Sequence, residues 1–454
     1  LKPEHAMKSI QLITPIPGPK AREISARRAA ATPSGLARST EVVVESASGA
    51  LVRDVDGNQL LDFAGGIGMM NLGHCPPNVV SAMHRQADKY LHTCALVTTF
   101  EPYVELAELL NRVTPGDFPK KTLLAGSGSE AVENAVQMAR YYTKRPGVIC
   151  FEGGYHGRTY LTLSLTSKYG LFKKGFGSMA SDIYRLPVPN MYRIPAGMSA
   201  SEYLEHAIRQ LEDALIAQVD PEALAAILIE PVQGEAGFIP VPYPFLRKIR
   251  EICTRTGAVM IADEVQCGSG RTGKFCAIEH SGVVPDMVVL AKSMGAGMPI
   301  SATVGRAEIM DTVHLGGVGG TYGGSPMAAV AAIEAVRELS SPEFLERATR
   351  FGEKMRSMLL PWLDRYPCIG DVRGMGAMCL VEFVKDRQSR EPDPGLALEI
   401  IREAVSHGII LIRAGLYSNC IRLLPPIVMT DEQLEEGLKV LENAVALKSA
   451  VHVS

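Results

Sequence analysis

The sequence predicts an α/β protein built on a mostly parallel sheet covered on both faces, followed by a second, smaller α+β domain. Three observations carry this reading. Short apolar runs of four or five residues recur at 122–125, 148–151, 226–229, 258–262 and 287–291. Helical patterns lie between several of them, and near-continuous apolar strands separated by helices belong to parallel sheets buried on both sides. Beyond about residue 330 the order changes to helix, helix, then strands near GMGAMCLVEFV and GIILI.

The elements follow in chain order. Residues 1–40 are rich in Pro, Arg and Ala and read as an N-terminal arm, with the residues before Met7 read as a remnant ahead of the native start. ARRAAAT is mildly basic, a weak echo of a mitochondrial presequence. EVVVESASGALVRDVDGNQLLDF alternates as antiparallel strands do, with Asp56-Gly57 as a hairpin turn. In AVENAVQMAR, Val132, Val136 and Ala139 form one helical stripe. In SEYLEHAIRQLEDAL, Leu204, Ile208, Leu211 and Leu215 recur at helical spacing, and Ser199 with Glu202 makes a capping box. A last helix starts at 430–433, with Leu434, Leu438, Leu441 and Val445 on one face. The expected domains are 1–75, an arm and hairpin region packing with the small domain; 76–330, the large domain; and 331–454, the small one.

Composition narrows the function. Hydrophobic residues are 46% and charged residues 21%, which excludes a disordered chain or a small disulfide scaffold. The charge sum is 46 − 49 = −3, so no global basic field draws in nucleic acid or an anionic membrane. Nine cysteines, an odd count without any Cys-x-x-Cys, read as reduced thiols of a cytoplasmic enzyme with no metal site. No apolar run approaches the ~18 residues of a membrane span.

In parallel α/β sheets ligands bind beyond the carboxyl ends of the strands. The run at 122–125 leads into GSGSEAVENA, 226–229 into Glu230, 258–262 into Asp263, and 287–291 into Lys292. A Gly-rich turn entering a helix offers backbone N–H groups to a phosphate, and Gly126 and Gly128 permit close approach. The same segment also fits G-x-G-x-x-A through Gly126, Gly128 and Ala131, with Glu152 as a ribose-binding acid, so a dinucleotide oxidoreductase is a rival. Lys292 and Asp263 separate the two. A half-buried lysine yields the neutral amine that attacks a carbonyl. A buried carboxylate needs a cation, and a pyridinium nitrogen supplies one. Phosphate turn, amine and buried acid together describe a pyridoxal-phosphate site.

At these residues the sequence resembles the class III (subgroup II) pyridoxal-phosphate aminotransferases, in particular those of the 4-aminobutyrate type. The motifs are FAGGIGMMNLGH, GSGSEAVENA, YHGRT, IEPVQGEAGF, IADEVQCGSGRTG, LAKSMGAGMP, GGTYGGSP and GDVRGMGAM, in family order over nearly the whole chain. The resemblance implies fold type I, with a seven-stranded-type sheet in the large domain, and a homodimer with shared active sites, or a tetramer built from it. It implies that Lys292 carries the cofactor and shuttles the proton, and that Asp263 pairs with the pyridine nitrogen. Gly128 and Ser129 would hold the phosphate, and Thr321 would reach the phosphate of the partner subunit. Tyr155 and His156 would lie at one ring face, Val265 at the other, with Gln266 on the ring hydroxyl and Glu230 nearby.

The resemblance also assigns the substrates. Arg158 would bind the distal carboxylate of an ω-amino acid by a planar two-bond fork. Arg422 would take the α-carboxylate of glutamate or 2-oxoglutarate, with Glu235 neutralising it when the donor has one carboxylate. Ile67 would line the channel. The implied reaction moves an amino group from 4-aminobutyrate to 2-oxoglutarate in two half-reactions. 5-Aminovalerate and other ω-amino acids are alternatives, and so is an amino-acid racemase of the same family. Two positions depart from the family pattern: Arg413 in LIRAG, where small residues are common, and Cys267 after Gln266.

Overall fold

The computed structural model describes residues 8–452, so the reading of the residues before Met7 falls outside it. The chain divides into two compact units. One holds the described residues of Leu1–Pro76, Phe351–Arg373 and Ala377–Ser454; the other holds Pro77–Arg350 and Gly374–Gly376.

The second unit is organised by a seven-stranded sheet. Its strands are β1 (Lys120–Ala125), β2 (Gly147–Phe151), β3 (Ile183–Leu186), β4 (Leu224–Ile229), β5 (Val259–Asp263), β6 (Met287–Leu290) and β7 (Ser301–Arg306), in the order β1-β7-β6-β5-β4-β2-β3. All neighbouring pairs from β3 to β6 are parallel, and β7 runs antiparallel to both β6 and β1. The five apolar runs are five of these strands. β2, β4, β5 and β6 are buried at every residue, which is why they read as unbroken apolar stretches rather than as alternation.

The other two strands carry weaker signals. IYRL in β3 is an edge strand, only half-buried over most of its length, so polar side chains are tolerated there. SATVGR in β7 is buried but built from small and polar residues. Its Thr303 hydroxyl satisfies itself on the Ala131 carbonyl at 2.8 Å.

Helix α1 (Gly128–Thr143) lies on one face of the sheet and buries Ala131, Val132, Ala135, Val136, Met138 and Ala139. These join Val148, Cys150, Ala226, Leu228, Val259, Ile261 and Val289 in one apolar cluster. Helix α2 (Ala200–Ala217) starts at the expected capping box, with Ser199 and Glu202 each satisfying the other's backbone.

The first unit contains strands Val44–Ser48, Leu51–Asp54 and Gln59–Asp62, paired antiparallel, and Ile409–Ile410 adds in parallel to Gln59–Asp62. The Asp56-Gly57 turn forms as expected. Gly57 sits at φ 90°, and Asp54 Oδ1 accepts from the N–H groups of Asp56 and Asn58 at 2.9 and 2.8 Å. A further sheet runs Ile369–Met375, Met378–Asp386, Cys420–Leu423, Ile412–Ala414. The last helix, Asp431–His452, is capped by reciprocal bonds between Thr430 and Gln433, and it buries Leu434, Leu438, Leu441 and Val445. No helix among the described residues is long and apolar enough to cross a membrane. All nine cysteines are free thiols.

Candidate active site

The strand ends of the second unit bring the expected groups together. Asp263 is the last residue of β5 and is buried. Its Oδ2 lies 2.7 Å from His156 Nδ1, and its Oδ1 accepts from the Val265 N–H at 3.1 Å. With Asp263 ionised, His156 donates through Nδ1. Both carboxylate oxygens are therefore oriented before any ligand arrives.

Glu230 follows β4 and is also buried. Its two oxygens accept from the backbone N–H groups of Tyr155 at 2.8 Å and Gly234 at 3.0 Å. Burial pushes its carboxyl above the usual range, and the Asp263 charge adds to this, while His156 and the two N–H donors oppose it. Glu230 thus braces Tyr155 against the loop that carries Glu235.

The Gly-rich turn expected to hold a phosphate begins where β1 ends. Ser127 caps α1, and Glu130 reaches back to the Gly126 N–H at 2.9 Å. Since α1 starts at Gly128, its first-turn N–H groups lack intrahelical acceptors and carry the positive end of the helix dipole. A methyl group placed on Gly128 would sit 3.1 Å from Val265 Cγ1 and 3.6 Å from the Ala291 Cβ. The Gly-rich turn thus approaches, through Gly128, both Val265 and the residue preceding Lys292. The Ser129 hydroxyl accepts from the Arg158 N–H at 3.3 Å, which ties the turn to the YHGRT loop.

Lys292 starts a short 3₁₀ turn directly after β6, half-buried, at φ 50°. A lysine in the left-handed region costs of order 1–3 kcal/mol, and such strain concentrates where a side chain must be aimed. Gln266 is buried, and its Oε1 has no hydrogen-bond partner. That atom faces Gly234 so closely that a Cβ there would lie 2.2 Å away. An unsatisfied buried acceptor on the residue after Val265, whose side chain Gly128 approaches, fits a bound ring bearing a hydroxyl. The donor set of this unit fits pyridoxal phosphate.

The remaining expected residues divide between the units. Arg158 and Glu235 belong to the second unit, Ile67, Arg413 and Arg422 to the first. The Arg158 guanidinium is exposed, with Nε donating to the Tyr155 hydroxyl at 3.3 Å. Glu235 is half-buried. Arg422 is buried on Cys420–Leu423, opposite Leu380. Arg413, one of the two departures, is exposed on Ile412–Ala414. Ile67 is 41% exposed at φ 69°, within a run where Gly65, Gly66 and Gly68 also have positive φ. Thr321 is exposed, and its carbonyl accepts from His92 Nε2 at 2.6 Å. The Gly-rich loop is held to β1, since a Cβ on Gly323 would lie 2.6 Å from the Leu124 carbonyl oxygen.

Sequence reasoning named His156 and Asp263 but did not pair them. It gave no role to Glu264, which directly follows Asp263. Glu264 is fully buried and accepts from Ala277 and Ile278 N–H at 2.9 and 2.7 Å, and the Cys267 thiol lies 3.2 Å from its Oε2. The departure at Cys267 is thus accounted for by a local bond to Glu264.

Three comparisons identify the relatives. The family model for class-III aminotransferases matches residues 35–445. The 4-aminobutyrate aminotransferase of Escherichia coli (strain K12) is 44% identical over 421 residues, covering 92% of this chain and 97% of that protein. The 5-aminovalerate aminotransferase of Pseudomonas aeruginosa is 45% identical over 415 residues, covering 91% and 96%. Among solved structures, the ω-transaminase from Pseudomonas jessenii in complex with PMP superposes with a TM-score of 0.85 at 27% identity, covering 90% of this chain and 93% of that one. The chain belongs to the class-III aminotransferases, enzymes whose cofactor is pyridoxal phosphate.

Proposed function

We propose that this aminotransferase moves the amino group of an ω-amino acid, with 4-aminobutyrate as first choice, to 2-oxoglutarate. The observation that carries this is Arg158. Its backbone is tied to the phosphate turn through Ser129, its guanidinium is exposed, and no carboxylate of the chain pairs with it among the described residues. A planar fork held at the rim of the cofactor site suits a substrate carboxylate distant from the amine.

When bound, pyridoxal phosphate supplies the exchangeable carbonyl and the electron sink that acidifies the donor C–H bond. Lys292 would hold the cofactor covalently and, once released, its amine would move a proton from the donor carbon to the cofactor carbon. Asp263, braced by His156, holds positive charge at the ring nitrogen. Gly128 and Ser129 bind the phosphate, with Thr321 contributed to the partner subunit's site. Tyr155 and Val265 fix the ring plane, and Gln266 takes the ring hydroxyl. Arg422 receives the α-carboxylate of the keto acid, Glu235 neutralises it during the donor half-reaction, and Ile67 borders the donor.

A homodimer is part of the reading. Leu96, Val97, Leu315 and Tyr322 are each more than 60% exposed, and apolar side chains in such numbers are covered in an assembly. The free thiols support a reducing, cytoplasmic compartment. 5-Aminovalerate is the second reading, because relatives acting on the two donors match this chain at 44% and 45% identity. One methylene is worth only ~1–3 kcal/mol in a pocket.

The test measures glutamate formation from 2-oxoglutarate with β-alanine, 4-aminobutyrate and 5-aminovalerate as donors. A preference for 4-aminobutyrate is expected. No transfer from any of the three rejects the reading. In parallel, borohydride-reduced enzyme is digested, and a pyridoxyl adduct is expected on the Lys292 peptide.

A further inference from the structure

The segment following YHGRT has an arrangement that the roles above do not use. The short helix Tyr169–Phe172 presents Tyr169 and Leu171 to solvent, yet Phe172 and the next residue, Lys173, are buried. Lys173 Nζ donates to the Ser164 carbonyl at 3.0 Å. Arg185 Nη2 donates to the carbonyls of Ser164, Leu165 and Thr166 at 2.7, 3.0 and 3.1 Å. These carbonyls end the helix Tyr160–Leu165, where the dipole favours cations. The Tyr169–Phe172 segment is therefore pinned to the far end of the helix that begins two residues after Arg158.

The pinned ring faces the site. The Phe172 centroid lies 5.3 Å from that of Tyr155, with the rings tilted by 64°. The Arg158 guanidinium carbon lies 4.9 Å from the same Phe172 centroid. Arg158 Nε donates to the Tyr155 hydroxyl at 3.3 Å. Three side chains thus support one another: Phe172 beneath, Tyr155 at the side, Arg158 above. A free arginine side chain samples many rotamers, and a cation held over an aromatic face samples few.

We propose that Phe172 is a specificity-determining positioning residue: its ring is the shelf that fixes the Arg158 guanidinium, and hence the span between amine and carboxylate that the enzyme accepts. This rests on the ω-amino acid reading. With the shelf in place the fork waits at one distance from the phosphate turn, and donors that are too short or too long meet it badly. Without the shelf the arginine follows the carboxylate, so affinity falls and selectivity for length fades.

The experiment compares kcat and KM for β-alanine, 4-aminobutyrate and 5-aminovalerate in wild type, Phe172→Leu, Phe172→Tyr and Arg158→Lys. In Phe172→Leu, KM for the preferred donor rises about 5- to 10-fold, the scale of a lost cation–π contact plus lost ordering, while kcat moves by less than about twofold. The ratio of kcat/KM between preferred and next-best donor shrinks. Phe172→Tyr keeps both values near wild type. Calorimetric titration of the holoenzyme with butyrate, which has the carboxylate and no amine, weakens by the same factor in Phe172→Leu. If the Leu variant is recovered unfolded, Phe172→Met keeps the bulk, removes the ring face and gives the same readout. The proposal is overturned if the donor ratio and butyrate affinity stay within twofold of wild type while Arg158→Lys changes them, an outcome that leaves the ω-amino acid reading intact. A wild-type enzyme silent toward all three donors overturns both.

Discussion

His156 Nδ1 stands 2.7 Å from Asp263 Oδ2, and both side chains are sealed from solvent. The contact links the YHGRT loop to the end of β5, so the carboxylate cannot turn without moving the loop. Replacing His156 by Ala leaves Asp263 buried with one oxygen unsatisfied. Loss of a hydrogen bond to a charged group costs about 1.5–3 kcal/mol. The cofactor-free His156→Ala protein is therefore expected to unfold at lower denaturant than wild type. Added cofactor recovers part of the difference, because a protonated ring nitrogen would supply a new hydrogen-bond donor to the carboxylate. Urea titrations with and without pyridoxal phosphate check this.

A side chain on Gly128 fits only if Val265 gives way by a few tenths of an ångström. A methyl there meets Val265 at 3.1 and 3.3 Å. Because Gly128 is already helical, Ala costs the backbone nothing. Gly128→Ala is expected to weaken cofactor binding about tenfold, or ~1.4 kcal/mol, with the melting temperature of the cofactor-free protein unchanged or slightly raised. Spectroscopic titration with pyridoxal phosphate measures the first, calorimetry the second.

Glu264 makes stability depend on pH. Burial pushes its carboxyl from 4.5 up to about 7, against the pull of the Ile278 and Ala277 N–H groups and the Cys267 thiol. The folded protein then holds a proton that the unfolded chain has already lost. The stabilisation is fully present below about 4.5 and is lost as pH rises through about 7. Its ceiling is about 3 kcal/mol. Stability measured by denaturant should fall between pH 5 and pH 7.5 in wild type, and the slope should flatten in Glu264→Gln. An unchanged slope in that variant removes Glu264 as the cause.

Ile67 is a β-branched residue at φ 69°, a conformation that costs about 1–2 kcal/mol for any L side chain. The turn is enforced by Asp62, whose Oδ1 accepts from Ala64 and Gly65 N–H at 2.9 and 2.8 Å and whose Oδ2 lies 2.8 Å from His74 Nε2. Since Ile67 is 41% exposed, Gly gives up little packing there. Ile67→Gly is expected to raise stability by about 1 kcal/mol in thermal unfolding. A destabilised variant would mean that the side chain is buried in the working assembly.

The large sheet was readable because burial on both faces forces unbroken apolar runs, and β2, β4, β5 and β6 obey that rule. β3 escaped notice because an edge strand need not be apolar. β7 escaped because Ser301 and Thr303 are buried yet polar, their hydroxyls bonding to the carbonyls of Ser127 and Ala131. Capping residues announce themselves through short spacing, and so Ser199 and Thr430 marked their helices. Phe172 and Glu264 carried no such mark.

By itself the sequence determined the family and the chemical inventory: an amine after one apolar strand, an acid after the next, a glycine turn entering a helix, and an arginine fixed in YHGRT. Those features depend on spacing of a few residues, over which chain geometry is nearly obligatory. Only the tertiary structure decided which groups bind one another across long stretches of chain. His156 meets Asp263 across 107 residues, Tyr155 meets Glu230 across 75, and the ring under Arg158 comes from a helix with no periodic pattern. Such contacts are set by how strands and loops pack, and packing selects partners by shape and by the cost of burying a polar group unpaired.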